Sequence, residues 1–232
     1  MAAPCNATVP DKYVSGDYGY GLLWIGQPAI SDYFWLTYGF KTNKSYWSNG
    51  FGYDAVTDTD LPLARTYNAL ALLGYSAVNW PADDYGQPIL NWARRYVREN
   101  VSDLRSLCGT GASYATSFYG VLGVGAHLQL YRPMWYEQAV PTRASTLLHE
   151  ARHLGGSRHN ALFPPGSAYG PGMTGADSNW EYNGAWRYEA AYLWDFYLNA
   201  AGATSAMRQL ARQAGNVMLA GAFATPPPYV IV

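Results

Sequence analysis

The stretch HEARHLGGSRH, at residues 149–159, holds three of the four histidines of this 232-residue chain. On a helix, residues four apart lie on the same face, so His149 and His153 can direct their imidazoles at one metal ion. Glu150 lies beside them and is placed to act on water rather than to bind the metal. Gly156 allows the chain to turn after the helix, so His159 can return as a third ligand.

The stretch has the form H-E-x-x-H-x-x-G-x-x-H, with every fixed position filled. It resembles the signature of the metzincin clan of zinc metallopeptidases. The resemblance covers these eleven residues and extends toward Met173. It implies a Zn²⁺ cofactor with His149, His153 and His159 as ligands, and Glu150 as the general base of catalysis.

Metzincins also carry a turn that places a methionine beneath the metal. This chain has the sequence Gly-Pro-Gly-Met at residues 170–173, fourteen residues after His159. Gly and Pro favour a tight turn here. The resemblance therefore implies that Met173 is the Met-turn residue, with a simple packing methionine as the alternative. The serine or tyrosine flanks of better-known families are missing, which leaves the subfamily open.

Three other interpretations of the site stay open. In gluzincins an acidic residue on a later helix completes the zinc site, and Glu189 and Asp177 have suitable offsets from the histidines. The 21 Tyr and 9 Trp residues also suit a non-catalytic, zinc-stabilised module that binds carbohydrate or protein. A zinc amidase acting on cell-wall peptides would use the same residues.

The favoured function is a zinc-dependent endopeptidase with a protein or peptide substrate. Three neutral imidazoles leave zinc a coordination position for water, whose pKa falls toward about 7. Glu150 would take a proton from that water and pass it to the leaving amine. The oxyanion of the intermediate needs a further donor. The downstream candidates are Tyr182 and Tyr188, together with Tyr169 and Arg187.

Composition excludes several classes of protein. A hydrophobic content of 49% with 13% charged residues argues against disorder. A net charge of −1 gives no reason to expect nucleic acid or an anionic membrane as a partner. No apolar run approaches the roughly 18 residues that span a bilayer. The oligomeric state is not indicated by the sequence.

Scarce lysine and abundant Tyr, Ser, Thr and Gly predict an exported protein, secreted or periplasmic. The residues after Met1, Ala-Ala-Pro-Cys, look like a mature N-terminus from which a leader has been removed. In an oxidising compartment Cys5 and Cys108 can form a disulfide, and two free buried thiols are the alternative.

The predicted fold class is α+β, a helix-rich zincin-like domain with a small mixed β-sheet and an active-site helix at about 142–155. One catalytic domain is expected over residues 1–232, with an N-terminal lobe of about 1–155 and a C-terminal lobe of about 156–232. The other predicted helices are 62–73, 87–107, 184–201 and 204–221. Strands are predicted at 21–25, 33–40 and 124–131, with a loop at 109–119. Strand 124–131 is expected to be an edge strand that borders the cleft.

Overall fold

The computed structural model of the protein describes residues 27–40, 44–48, 50–76, 88–107, 114–119 and 125–232. The predictions for strand 21–25 and for Cys5 and Cys108 lie outside these residues. The described helices are α1 (Pro28–Thr37), α2 (Lys44–Trp47), α3 (Pro62–Tyr75), α4 (Ile89–Asn100), α5 (Arg132–Tyr136), α6 (Val140–Leu154), α7 (Ala185–Asn199) and α8 (Ser205–Gly221). The strands are β1 (Leu104–Leu107), β2 (Ala115–Phe118), β3 (His127–Tyr131), β4 (Ala161–Leu162) and β5 (Thr174–Ala176).

These elements confirm a helix-rich α+β protein with a small mixed sheet. In the three-stranded sheet the order is β1-β3-β2, with β1 parallel and β2 antiparallel to β3. β4 and β5 form a separate antiparallel pair. None of the helices within the described ranges combines the length and the apolar character needed to cross a membrane.

Helix α6 is central to the packing because it contacts α3, α4, α7, α8 and strand β2. Its apolar side chains Ala144, Leu147, Leu148 and Ala151 are fully buried. The helix begins two residues before the predicted start, with Pro141 in its first turn, where a missing N–H costs nothing. His149 and His153, in the last two turns of the helix, are thereby anchored to the middle of the core.

The end of α6 agrees with the prediction from its two glycines. Gly155 is the C-cap, and an added Cβ there would lie 1.9 Å from the Tyr96 hydroxyl oxygen. Gly156 has a φ of 96°, a conformation that side-chain-bearing residues rarely adopt. The chain therefore leaves the helix in a tight turn that leads toward His159.

The predicted strand at 33–40 is wrong, because α1 occupies most of that segment. Pro28 supplies the fixed φ suited to the first helical position. Phe34 and Tyr38, four residues apart, are both 2% exposed, while Leu36 is 59% exposed. The burial thus follows a helical rather than an alternating period, which the high β propensity of aromatic residues concealed.

The predictions around the sheet need three further corrections. The helix predicted at 87–107 ends at Asn100, where Val101 turns to an extended conformation that leads into β1. The loop predicted at 109–119 contains β2. The strand predicted at 124–131 is confirmed as β3, but it is the central strand, and β2 is the one at the edge near α6.

The last two helices agree closely with their predicted ranges. α7 covers Ala185–Asn199, and α8 begins after Thr204, whose hydroxyl accepts a hydrogen bond from the Met207 N–H. Ala190 and Leu193 are fully buried, whereas Leu198 is 56% exposed.

Candidate metal centre

Three imidazole nitrogens converge at one point beside the last turn of α6. The Nε2 atom of His153 lies 3.1 Å from the Nε2 atoms of both His149 and His159, and the latter two are 3.3 Å apart. His149 and His153 come from one face of the helix, and His159 returns to them after the Gly155-Gly156 turn. The group could hold a metal ion.

Each of the three imidazoles has an acceptor at its other nitrogen. Nδ1 of His149 lies 2.8 Å from Oε2 of Glu189. Nδ1 of His159 lies 2.9 Å from Oδ1 of Asp177, and Nδ1 of His153 lies 2.6 Å from the backbone oxygen of Ser157. The Ser157 and Asp177 oxygens accept hydrogen bonds, which places the Nδ1 protons of His153 and His159 toward them, and the Glu189 carboxylate close to His149 favours the same tautomer there. Each Nε2 atom can therefore direct a lone pair at a metal ion placed between the three rings.

Burial keeps two of these rings neutral. Burial lowers the pKa of His149 to about 3, and the neighbouring His159 adds to the effect. Burial likewise lowers the pKa of His153 to about 3, with a contribution from His149. A metal ligand must be deprotonated, so these imidazoles are ready to bind an ion at neutral pH without losing a proton.

The two acids considered as alternative ligands lie behind the imidazoles. Asp177 is fully buried, and its Oδ2 accepts a hydrogen bond from the backbone N–H of Trp186 in the first turn of α7. Glu189 is 3% exposed, and its Oε1 accepts hydrogen bonds from the hydroxyls of Ser145 and Thr146. Both carboxylates face Nδ1 atoms, so they orient the histidines instead of completing the nitrogen cluster.

Glu150 projects from α6 toward strand β2 and is 7% exposed. Burial raises the pKa of its carboxyl to about 7, and hydrogen bonds from the Ser117 hydroxyl and backbone N–H act in the opposite direction. Within the described part of the chain, its buried Oε2 atom has no hydrogen-bond partner.

Met173, the candidate Met-turn residue, has an exposed side chain. It precedes β5, its side chain is 64% exposed, and its sulfur packs near Gly170. The aromatic ring beside the histidines belongs instead to Trp186, 4.5 Å from the ring of His149 and 5.9 Å from that of His159. The Trp186 indole N–H donates to the backbone oxygen of Gly175, which fixes the ring.

The tyrosines proposed as oxyanion donors are engaged elsewhere. The Tyr182 hydroxyl donates to the backbone oxygen of Arg158 at 2.6 Å. The Tyr188 ring lies 4.1 Å from the Arg152 guanidinium and 4.7 Å from the Trp92 ring. The Tyr169 ring lies 4.6 Å from the Trp186 ring in a tilted arrangement, and Arg187 donates to the backbone oxygen of Trp180.

Two residues of the site lie on strand β2 and its end, in the segment predicted to be a loop. Ser117 faces the Glu150 carboxylate. Burial raises the pKa of Tyr119, and although Arg158 opposes this shift, Glu150 adds to it. The Tyr119 ring lies 5.5 Å from the Arg158 guanidinium. The alternating sequence Ala-Thr-Ser-Phe was the signal for this strand, but four residues are too few to mark it clearly.

Comparison with known protein families, with curated proteins and with solved structures finds no match to this chain. The chemical information thus comes from the site itself, which consists of three convergent imidazoles, their Nδ1 partners and a buried glutamate.

Proposed function

We propose that the protein is a zinc-dependent endopeptidase that hydrolyses peptide bonds with Glu150 as the general base. The observation that carries the proposal is the cluster of three Nε2 atoms separated by 3.1–3.3 Å, each on a ring whose Nδ1 faces an acceptor. Nitrogens bound to a tetrahedral zinc ion at about 2.0–2.1 Å lie about 3.3–3.4 Å apart. The donor set therefore suits zinc in both type and spacing.

The residues around the imidazoles support this choice of ligands. Histidines that bind catalytic metals usually donate their second N–H to a carboxylate or a carbonyl group. Asp177, Glu189 and the Ser157 carbonyl are such acceptors. Three protein ligands, rather than four, are typical of catalytic zinc sites, because one coordination position stays available for water or substrate.

When bound, zinc supplies a Lewis acid that polarises a substrate carbonyl group and lowers the pKa of water. Glu150 then accepts a proton through its free Oε2 atom. A pKa of about 7 lets this carboxyl both take a proton and return it to the leaving amine near neutral pH. Its burial also keeps bulk water from competing for that proton.

Strand β2 supplies a place for an extended peptide. The Tyr131 N–H donates to the backbone oxygen of Tyr114, so this pair is hydrogen-bonded across the antiparallel ladder. Pairing alternates along the strand, and the backbone groups of Ala115, Ser117 and Tyr119 therefore point away from β3. The Ser117 N–H is directed at the Glu150 carboxylate, so a peptide would pair with this edge through the remaining outward backbone groups and would lie next to Glu150.

The proposal is tested by metal analysis and a protease assay on three forms of the protein. The wild type should contain one zinc per chain and cleave casein or a peptide library, with activity lost to a chelator and restored by zinc. Glu150→Gln should keep the zinc and lose about 100- to 10,000-fold in kcat, the usual contribution of acid–base catalysis. His159→Ala should lose zinc itself. Substantial activity in Glu150→Gln, or zinc retained by His159→Ala, would contradict the assignment.

A further inference from the structure

A surface cavity of about 480 Å³ lies beside the metal centre and has no part in the chemistry proposed for Glu150. Its size falls within the range of about 300–1,000 Å³ that is typical of ligand pockets. It is lined by the turn at 156–158, by the segment 182–184 before α7, and by Arg152 in the last turn of α6. The turn at 156–158 also supplies the backbone oxygen that holds Nδ1 of His153, so the cavity and the metal centre share one segment of the chain.

Two arginines give this cavity a positive charge. Arg152 and Arg158 both line it, and neither pairs with a carboxylate among the residues that the structure describes. Asp177 packs against Gly184 in the cavity wall, but its carboxylate is engaged by His159. The whole chain has 15 basic and 16 acidic residues, so the two arginines are not part of a generally basic protein. A cavity lined by one sign of charge concentrates the opposite sign, and this one therefore favours an anionic group.

The guanidinium of Arg152 is held in position without being neutralised. It donates to the Tyr96 hydroxyl at 3.3 Å and to the backbone oxygen of Asn183 at 2.9 Å, and it lies 4.1 Å from the centre of the Tyr188 ring. An arginine carries five N–H donors in a planar fork, so Arg152 has donors beyond these two contacts. The fork matches the two oxygens of a carboxylate. A guanidinium that is fixed in advance also loses little conformational entropy on binding.

Arg158 connects the cavity to the edge strand. Its side chain is exposed, and its guanidinium lies 5.5 Å from the ring of Tyr119, the residue that follows β2. An extended peptide that pairs with the edge of β2 and continues past Tyr119 therefore reaches Arg158. We propose that this cavity binds a carboxylate of the substrate through Arg152 and Arg158. The carboxylate belongs to an acidic side chain or to the C-terminus of the peptide, and the assignment rests on the proposed endopeptidase function.

The test measures peptide binding to Glu150→Gln protein, so that cleavage does not interfere. Labelled peptides with one glutamate at successive positions are compared by fluorescence anisotropy with their glutamine counterparts, all with amidated C-termini. A glutamine peptide with a free C-terminal carboxylate is compared with its amide. A preference in the first comparison identifies an acidic side chain as the ligand, and a preference in the second identifies the terminal carboxylate. We expect the charged form to bind about five-fold more tightly, as a partly exposed ion pair allows.

Substitution of one arginine then shows whether the cavity causes this preference. Arg158→Gln in the same protein should remove the preference, with zinc content and thermal unfolding unchanged. Arg212→Gln is the matched control, because the guanidinium of Arg212 on α8 also lies beside a tyrosine ring, 5.9 Å from that of Tyr197, and Arg212 does not line the cavity. It should keep the preference. Without the arginine substitution, added salt should weaken the preference, because salt screens partly exposed charges.

Equal binding of charged and uncharged peptides at every position would overturn the proposal. A preference that survives in Arg158→Gln, or one that is independent of salt, would do the same. Because binding is measured without cleavage, the two proposals can fail separately. If the wild type cleaves no peptide, the proposed function fails, and the charge preference still decides what the cavity binds. If the wild type cleaves peptides and the preference is absent, the endopeptidase function stands and the carboxylate site does not.

Discussion

Replacement of Asp177 by asparagine is the sharpest test of how the histidine cluster is held. The carboxylate is fully buried, with Oδ1 2.9 Å from Nδ1 of His159 and Oδ2 3.1 Å from the Trp186 N–H. Both neighbours are donors, and asparagine has the same shape but only one acceptor oxygen. Whichever way the amide turns, its NH₂ group must face a donor.

The magnitude follows from which donor loses its acceptor. If the amide NH₂ faces His159, the imidazole must move its proton to Nε2, which removes a lone pair from the cluster. If it faces Trp186, a backbone N–H at the start of α7 is left unpaired, and the neutral amide oxygen holds His159 more weakly. Loss of such an orienting partner typically costs 10- to 100-fold in metal affinity, equal to about 1.4–2.8 kcal/mol.

The assay is competition for zinc against a chromophoric chelator at a fixed pH, with circular dichroism to verify folding. Glu181→Gln is the matched control, because it removes the same charge from an exposed residue in the neighbouring 3₁₀ turn. We expect weaker zinc binding in Asp177→Asn and wild-type binding in Glu181→Gln. Equal affinities in the wild type and Asp177→Asn would refute the orienting role, whereas complete loss of zinc would favour Asp177 as a direct ligand.

Two further predictions concern Met173 and the buried carboxyl of Glu150. Met173→Ala should leave zinc affinity within about two-fold of wild type, because the side chain is 64% exposed. An approximately ten-fold loss in the same chelator assay would instead support Met173 as the Met-turn residue. Burial raises the pKa of Glu150 from 4.5 to about 7, so its contribution to stability is complete below pH 4.5 and is lost as the pH rises through 7. Denaturant unfolding of metal-free protein should therefore show Glu150→Gln gaining stability over the wild type between pH 4.5 and 8, and a constant difference would contradict this.

The sequence predicts those parts of the site that depend on local periodicity. His149 and His153 need only one helical face, and the Gly155-Gly156 turn needs only a break in the helix. The positions of Asp177 and Glu189 relative to the histidines were also foreseeable from their offsets. Their role was not, because sequence spacing brings a carboxylate near an imidazole without saying which of the two ring nitrogens it faces.

The contributions of strand β2 depend on long-range contacts and were missed. Ser117 is brought near Glu150, which is distant from it in the chain, by a strand of only four residues. The strand predicted at 33–40 is also wrong because tertiary packing decides the local structure there. The intrinsic preference of aromatic residues for strands was overridden by the burial of Phe34 and Tyr38 on one side of a helix.

The position of the two acids behind the imidazoles also has a chemical logic for the proposed zinc site. A carboxylate bound directly to the ion would cancel part of its charge and weaken it as a Lewis acid. Asp177 and Glu189 instead act through His159 and His149, which raises the basicity of neutral ligands and leaves the charge of the ion for substrate. Buried carboxylates are unfavourable unless they are paired. Here the Trp186 N–H and the Ser145 and Thr146 hydroxyls satisfy the oxygens that the imidazoles leave free. The arrangement favours a reactive metal centre over a purely structural one, whose site would be closed by a fourth protein ligand.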